Sequence, residues 1–139
     1  MNKSLLFVFT ILLFAGCTPS RELQNFSKSN LIFGSGGGIT GATNEYILKY
    51  DGVINKLNSL TNETTQVTTI SAKDAKALFR DFLSNGLDTL NFSVPGNMSQ
   101  FIGFKNDSIT HKIIWGGDTN PPAGAKAYYE SLIQLINNQ

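Results

Sequence analysis

A single cysteine, Cys17, occurs in the 139 residues, so no disulfide can close within the chain and whatever holds it folded is noncovalent. Histidine is equally scarce. His111 stands alone, whereas a zinc site ordinarily takes three or four His, Cys or carboxylate ligands, so no metal site is assigned. Charge is sparse and nearly balanced, with 11 basic and 10 acidic residues, which leaves no electrostatic motive for a nucleic-acid partner. The lysines also stand singly along the chain, with no run that would dock on anionic lipid head groups. Long apolar stretches are missing too. The longest, residues 5–14, is about half the roughly twenty residues that a membrane-spanning helix needs.

What is present at the start of the chain is an export signal: Lys3, then the apolar run Leu5 to Phe14 broken only by Thr10, then the small residues Ala15 and Gly16 before Cys17. Phe14-Ala15-Gly16-Cys17 resembles the lipobox of bacterial lipoproteins, in which Leu is usual where Phe14 stands. The resemblance implies that the Cys17 thiol receives a diacylglycerol and that a peptidase cuts between Gly16 and Cys17. Lipidation also accounts for a lone cysteine in an exported chain. Several acyl chains hold a protein firmly on a bilayer. The bilayer is then a partner through acylated Cys17. Thr18, rather than an aspartate, follows the cysteine, and no acidic cluster comes after it. By the same resemblance, the expected place is the cell envelope, on an outer membrane, facing the periplasm.

The expected organisation is a removed signal over residues 1–16, a lipidated cysteine and polar tether over 17–29, and one globular domain over 30–139. Leu31-Ile32-Phe33 reads as a strand running into a glycine-rich flexible crossing. Asp51-Gly52 between Glu45–Tyr50 and Val53–Leu57 signals a hairpin, and Thr64–Ile70 suits a further strand. Ser71 and Asp74 form a capping pair for a helix whose apolar stripe is Ala75, Leu78, Phe79, Phe82 and Leu83, with Gly86 as its terminator. Leu87 to Met98 suggests a short edge strand and a turn at Pro95-Gly96. A second hairpin turns at Asn106-Asp107. After Pro121-Pro122, Ala125, Tyr128, Tyr129, Leu132, Leu135 and Ile136 mark a C-terminal helix. The expected fold is α+β, a single domain in which an antiparallel sheet of about five or six strands packs against two helices.

Gly36-Gly37-Gly38-Ile39-Thr40-Gly41 satisfies the G-x-G-x-x-G spacing of dinucleotide-binding loops. A strand rather than a helix follows it, and no Lys-Ser or Lys-Thr pair follows either, so nucleotide binding is rejected and no cofactor is assigned. Two readings of Gly34, Ser35, Gly36, Gly37, Gly38, Ile39, Thr40 and Gly41 remain open. The segment either allows a sharp bend or bulge at a sheet edge, or presents bare backbone to a partner protein. His111, flanked on its face by Ile109 and Ile113, reads as a packed residue. Neither Ser99 nor Ser108 lies in a motif that would make it a nucleophile beside it. Tyr46, Tyr50, Trp115, Tyr128 and Tyr129 fall in core patterns more readily than on a binding surface. No catalytic residue is assigned, and the chain is not expected to be an enzyme.

From Ser35-Gly36-Gly37 to about Ile136, the order of elements resembles emfourin-type inhibitors of metalloproteases, with Gly38 standing where that family has an aromatic residue. Phe33 to Gly38 is also similar to a Phe-Gly-Ser-Gly-Gly-Gly segment of small envelope lipoproteins of no assigned activity. The resemblances imply a noncatalytic protein-binding module with an envelope protein as partner, or an inhibitor whose partner is an extracytoplasmic protease.

Overall fold

The computed structural model describes residues 26–138. The expected signal segment, the expected cleavage and lipidation positions Gly16 and Cys17, and the expected tether as far as residue 25 lie outside them. Among the described residues, seven strands and two helices form one α+β unit: β1 (Asn30–Gly37), β2 (Thr43–Leu48), β3 (Val53–Asn58), β4 (Thr64–Thr69), α1 (Ala72–Ser84), β5 (Ser93–Val94), β6 (Met98–Lys105), β7 (Thr110–Gly116) and α2 (Ala123–Asn137). The sheet order is β4-β3-β2-β1-β6-β7-β5. The edge strand expected within Leu87–Met98 is β5, two residues long and parallel to β7, so the sheet has seven strands and is mixed rather than wholly antiparallel. Pro95-Gly96 ends β5 and lets the chain turn back into β6.

Side chains alternate across a strand, and the two sheet faces differ sharply. Leu31, Phe33, Leu48, Ile54, Ile102, Ile113 and Trp115 form one cluster with Ala75, Phe79 and Phe82 of α1 and Ala125, Tyr128, Tyr129 and Leu132 of α2. Both helices therefore cover the same face. Ser71 caps α1 by accepting the Asp74 amide at 3.0 Å. The Asp74 carboxylate takes the Ser71 hydroxyl at 2.7 Å instead of the Ser71 amide, a variation on the expected capping box. At the other end, Gly86 (φ +66°) donates to Leu83 and the buried Leu87 to Phe82, a Schellman closure of the helix.

The Asp-Gly hairpin forms as expected. Lys49 donates to Val53 at 2.9 Å and Gly52 to Lys49 at 3.0 Å, which closes a turn around Tyr50-Asp51. The polar tether is shorter than its composition suggests. The Phe26 ring packs 5.0 Å from that of Phe104 and 6.5 Å from that of Phe79, and Ser29 is buried, so Phe26 to Ser29 belong to the packed domain rather than to the tether. Its polar neighbours mask one apolar residue whose partners are more than fifty positions away.

Candidate functional site

The glycine-rich segment is neither a flexible crossing nor an edge. β1 is the central strand, paired with β2 on one side and β6 on the other through Gly37, which corrects both expectations. Gly34 is buried opposite Glu45 and Phe101. Ser35 faces the helices and hydrogen-bonds the Tyr129 side chain. Gly36 is paired in both ladders, and Gly37 is paired with Met98 of β6 alone. Only Gly38, Ile39, Thr40 and Gly41 leave the sheet, and Thr43 then opens β2 antiparallel to β1, so no helix follows the glycines.

This short loop is pinned on three sides. Gly37 donates to Ala42 at 3.1 Å, Gly38 to the Asn97 carbonyl at 2.7 Å and Gly41 to Gly38 at 3.2 Å. The amide of Thr43 donates to the Ser59 hydroxyl at 2.8 Å, tying the β1–β2 loop to the β3–β4 loop, and Gly117 donates to Met98 at 3.1 Å, tying in the loop after β7. Strand direction brings all of these loops to one end of the sheet. Ile39 (107% exposed), Leu60 (67%), Met98 (54%) and Val94 (45%) are all exposed at this end, Ile39 and Met98 on adjoining segments and Leu60 and Val94 toward opposite flanks of the sheet. Periodicity does not bring them to one end, because Ile39, Leu60 and Met98 belong to turns or strand starts and Val94 reads only as part of the Leu90, Phe92, Val94 alternation. A cleft of about 280 Å³ between Gly96, Asn97, Met98 and the Gly116–Thr119 loop lies beside them.

The helix-free face of the sheet holds a charged group that sequence reading missed. The Glu45 carboxylate meets Lys112 at 2.9 Å and Lys105 at 3.0 Å while only 8% exposed. Glu45 is on β2 and Lys112 on β7, about 14 Å apart across three strand spacings. They meet because Gly34 and Gly103, their partners on β1 and β6, carry no side chains to stand between them. Lys112 also lies 4.4 Å from the Phe101 ring centre. Burial alone would raise the Glu45 pKa, but the hydrogen bonds and charges of Lys112 and Lys105 together outweigh it and hold it below its ordinary 4.5. A depressed carboxylate contributes stability above its unfolded pKa and loses it as pH falls through the folded one. The urea midpoint should therefore fall as pH drops below about 4.5. Glu45→Gln should flatten that limb and cost about 2 kcal/mol at pH 7; an unchanged acid limb would show that Glu45 does not drive it.

The remaining polar candidates are structural. The His111 Nε2 donates to the Leu87 carbonyl at 3.0 Å and its ring lies 5.6 Å from that of Phe104, so it pegs the segment after α1 to β7. Trp115 donates to Gln100 at 2.9 Å and meets Tyr129 edge-on. Tyr128 donates to the Leu78 carbonyl at 2.8 Å, joining the helices, and burial with the nearby Asp81 charge holds its hydroxyl well above the ordinary phenol range. Tyr46 and Tyr50 are half-buried against the core. Among the described residues no three His, Cys, Asp or Glu side chains converge as metal ligands would, and no helix is long and apolar enough to cross a membrane. No protein-family profile matches the chain, and no curated protein matches it significantly.

Proposed function

We propose that the chain is a lipid-anchored protein of the bacterial envelope, held by acylated Cys17 on the periplasmic side of the outer membrane, and that its domain is a noncatalytic protein-binding module. The observation that carries the binding surface is the exposure of Ile39 and Met98 on segments joined by the Gly38–Asn97 hydrogen bond, with Leu60 and Val94 exposed farther along the same end of the sheet, away from Phe26. An anchor at one end and an apolar contact surface at the other would set the domain outward from the membrane to meet a partner. Burying four such side chains is worth on the order of 6–12 kcal/mol before the cost of association, the scale of a reversible complex. The anchor itself rests on the Phe14–Cys17 segment and the absence of any other cysteine.

Inhibition of an extracytoplasmic metalloprotease is the second reading. It is favoured by the way the Gly38–Gly41 loop projects while its flanks are held by hydrogen bonds, since a loop already ordered loses little entropy on entering a cleft. The emfourin-like element order points to the same class of partner.

Cys17→Ser should move the protein from the membrane pellet to the soluble fraction, and unchanged fractionation would overturn the anchor. Ile39→Asp combined with Met98→Asp should weaken recovery of the partner at least about tenfold, the loss of two buried apolar contacts, while leaving the melting temperature unchanged. A co-recovered protease with silenced activity would identify the inhibitor, and a non-protease envelope protein the binding module. Recovery of no protein at all would refute both.

A further inference from the structure

At the end of the sheet where the chain enters, a groove of about 450 Å³ opens between the Ser27–Asn30 segment, the β2–β3 turn and the first turns of α1. Lys28, Lys49 and Lys76 line it together with Tyr50 and a single carboxylate, Asp51. The lysines that stand singly in the sequence are thus gathered by the fold, because the entry segment, a hairpin turn and a helix start meet at one end of the sheet. Among the described residues none of the three ammonium groups has an ion-pair partner. Nearby carboxylates are engaged in local structure: Asp51 accepts the Val53 amide at 3.2 Å, and Asp74 accepts the Ser71 hydroxyl at 2.7 Å. Lys76 is placed over the Tyr50 ring, 5.5 Å from its centre, and that ring rests on Phe79 at 5.1 Å. One wall of the groove is therefore rigid.

Three unpaired ammonium groups around one opening repel each other, and an anion seated between them relieves that repulsion. The groove's place in the chain says which anion. Residues 18–27 separate Lys28 from Cys17 and span at most about 35 Å, so if Cys17 carries the acyl chains the groove is confined to the neighbourhood of phospholipid head groups. Ile109, 56% exposed at the tip of the β6–β7 hairpin, is at the same end and offers one apolar side chain to the interface.

We propose that this groove binds the phosphate of anionic phospholipids and seats the entry end of the domain on the bilayer, with the Ile39 end directed away from it. The proposal rests on the envelope-anchored reading for its choice of phosphate, and it is tested without acylation. The full chain carrying Cys17→Ser is sedimented with phosphatidylglycerol or phosphatidylcholine vesicles, and each is compared with the same chain carrying Lys28→Gln, Lys49→Gln and Lys76→Gln. The apolar segment 5–14, Lys3 and the N-terminal amine are common to both chains, so the change in vesicle preference on substitution isolates the groove's charge. Two net positive charges, at roughly fivefold each, predict about thirtyfold preference for phosphatidylglycerol at low salt. That groove-dependent preference should be lost with the Gln substitutions, persist with Arg at all three positions and collapse in about 0.5 M salt. Should the triple variant fail to melt cooperatively, the exposed single change Lys28→Gln is read in its place, with a fall of about fivefold expected. Equal binding to the two vesicle types, or a preference that the Gln substitutions leave unchanged, overturns the proposal. Saturable binding of glycerol phosphate without a vesicle preference also overturns it, and makes the groove a site for soluble phosphates. Whether Cys17 is acylated is read separately from the mass of the native chain, so either result can fail alone.

Discussion

Phe79→Ala should lower the unfolding free energy by about 4 kcal/mol, a large part of the 5–15 kcal/mol that holds a domain of this size. Phe79 is fully buried on α1, and its ring is met edge-on by Phe26 at 6.5 Å and Tyr50 at 5.1 Å. One side chain thus ties the entry segment, the first hairpin and the helix to the sheet. Removing it leaves a cavity that these aromatic rings cannot fill without leaving their own contacts. Chemical denaturation would show the midpoint falling with an unchanged slope. A loss below about 1.5 kcal/mol would mean that the entry segment packs independently of α1.

Gly34→Ala should cost about 3 kcal/mol, although it adds only a methyl group. A Cβ at Gly34 would lie 1.9 Å from the Asn44 carbonyl oxygen and 3.2 Å from the Glu45 Cα, so β2 itself must move. That movement displaces Glu45 from Lys105 and Lys112, and the cost of the clash is compounded by a strained ion pair. Gly41→Ala is the matched control. Its added methyl meets nothing within 4 Å, and only its positive φ of 62° is penalised, at about 1 kcal/mol. Comparable midpoints for the two variants would refute the close approach of β1 and β2.

Wherever partners are local, the chain is legible from its sequence. The Ser71 cap, the Gly86 terminator, the apolar stripes of both helices and the Asp51-Gly52 turn all depend on residues within a few positions, and each forms as its pattern predicts. The edge strand within Leu87–Met98 is legible too, but the parallel pairing of β5 with β7 is decided by a segment some twenty residues away. The glycine run misleads for a related reason. Glycine clusters usually punctuate strands, and only the two neighbouring strands make an uninterrupted strand of Asn30–Gly37.

By itself, the sequence determined the α+β class with two amphipathic helices on one sheet and the noncovalent nature of its stability. Local periodicity and residue counts suffice for these. Only the tertiary structure decided which glycines are buried and which project, that Glu45 is clasped by two lysines across bare backbone, and that Lys28, Lys49 and Lys76 share one groove while Ile39, Leu60, Val94 and Met98 share the opposite end. These groupings join residues dozens of positions apart through strand order and direction, and no short-range pattern encodes either.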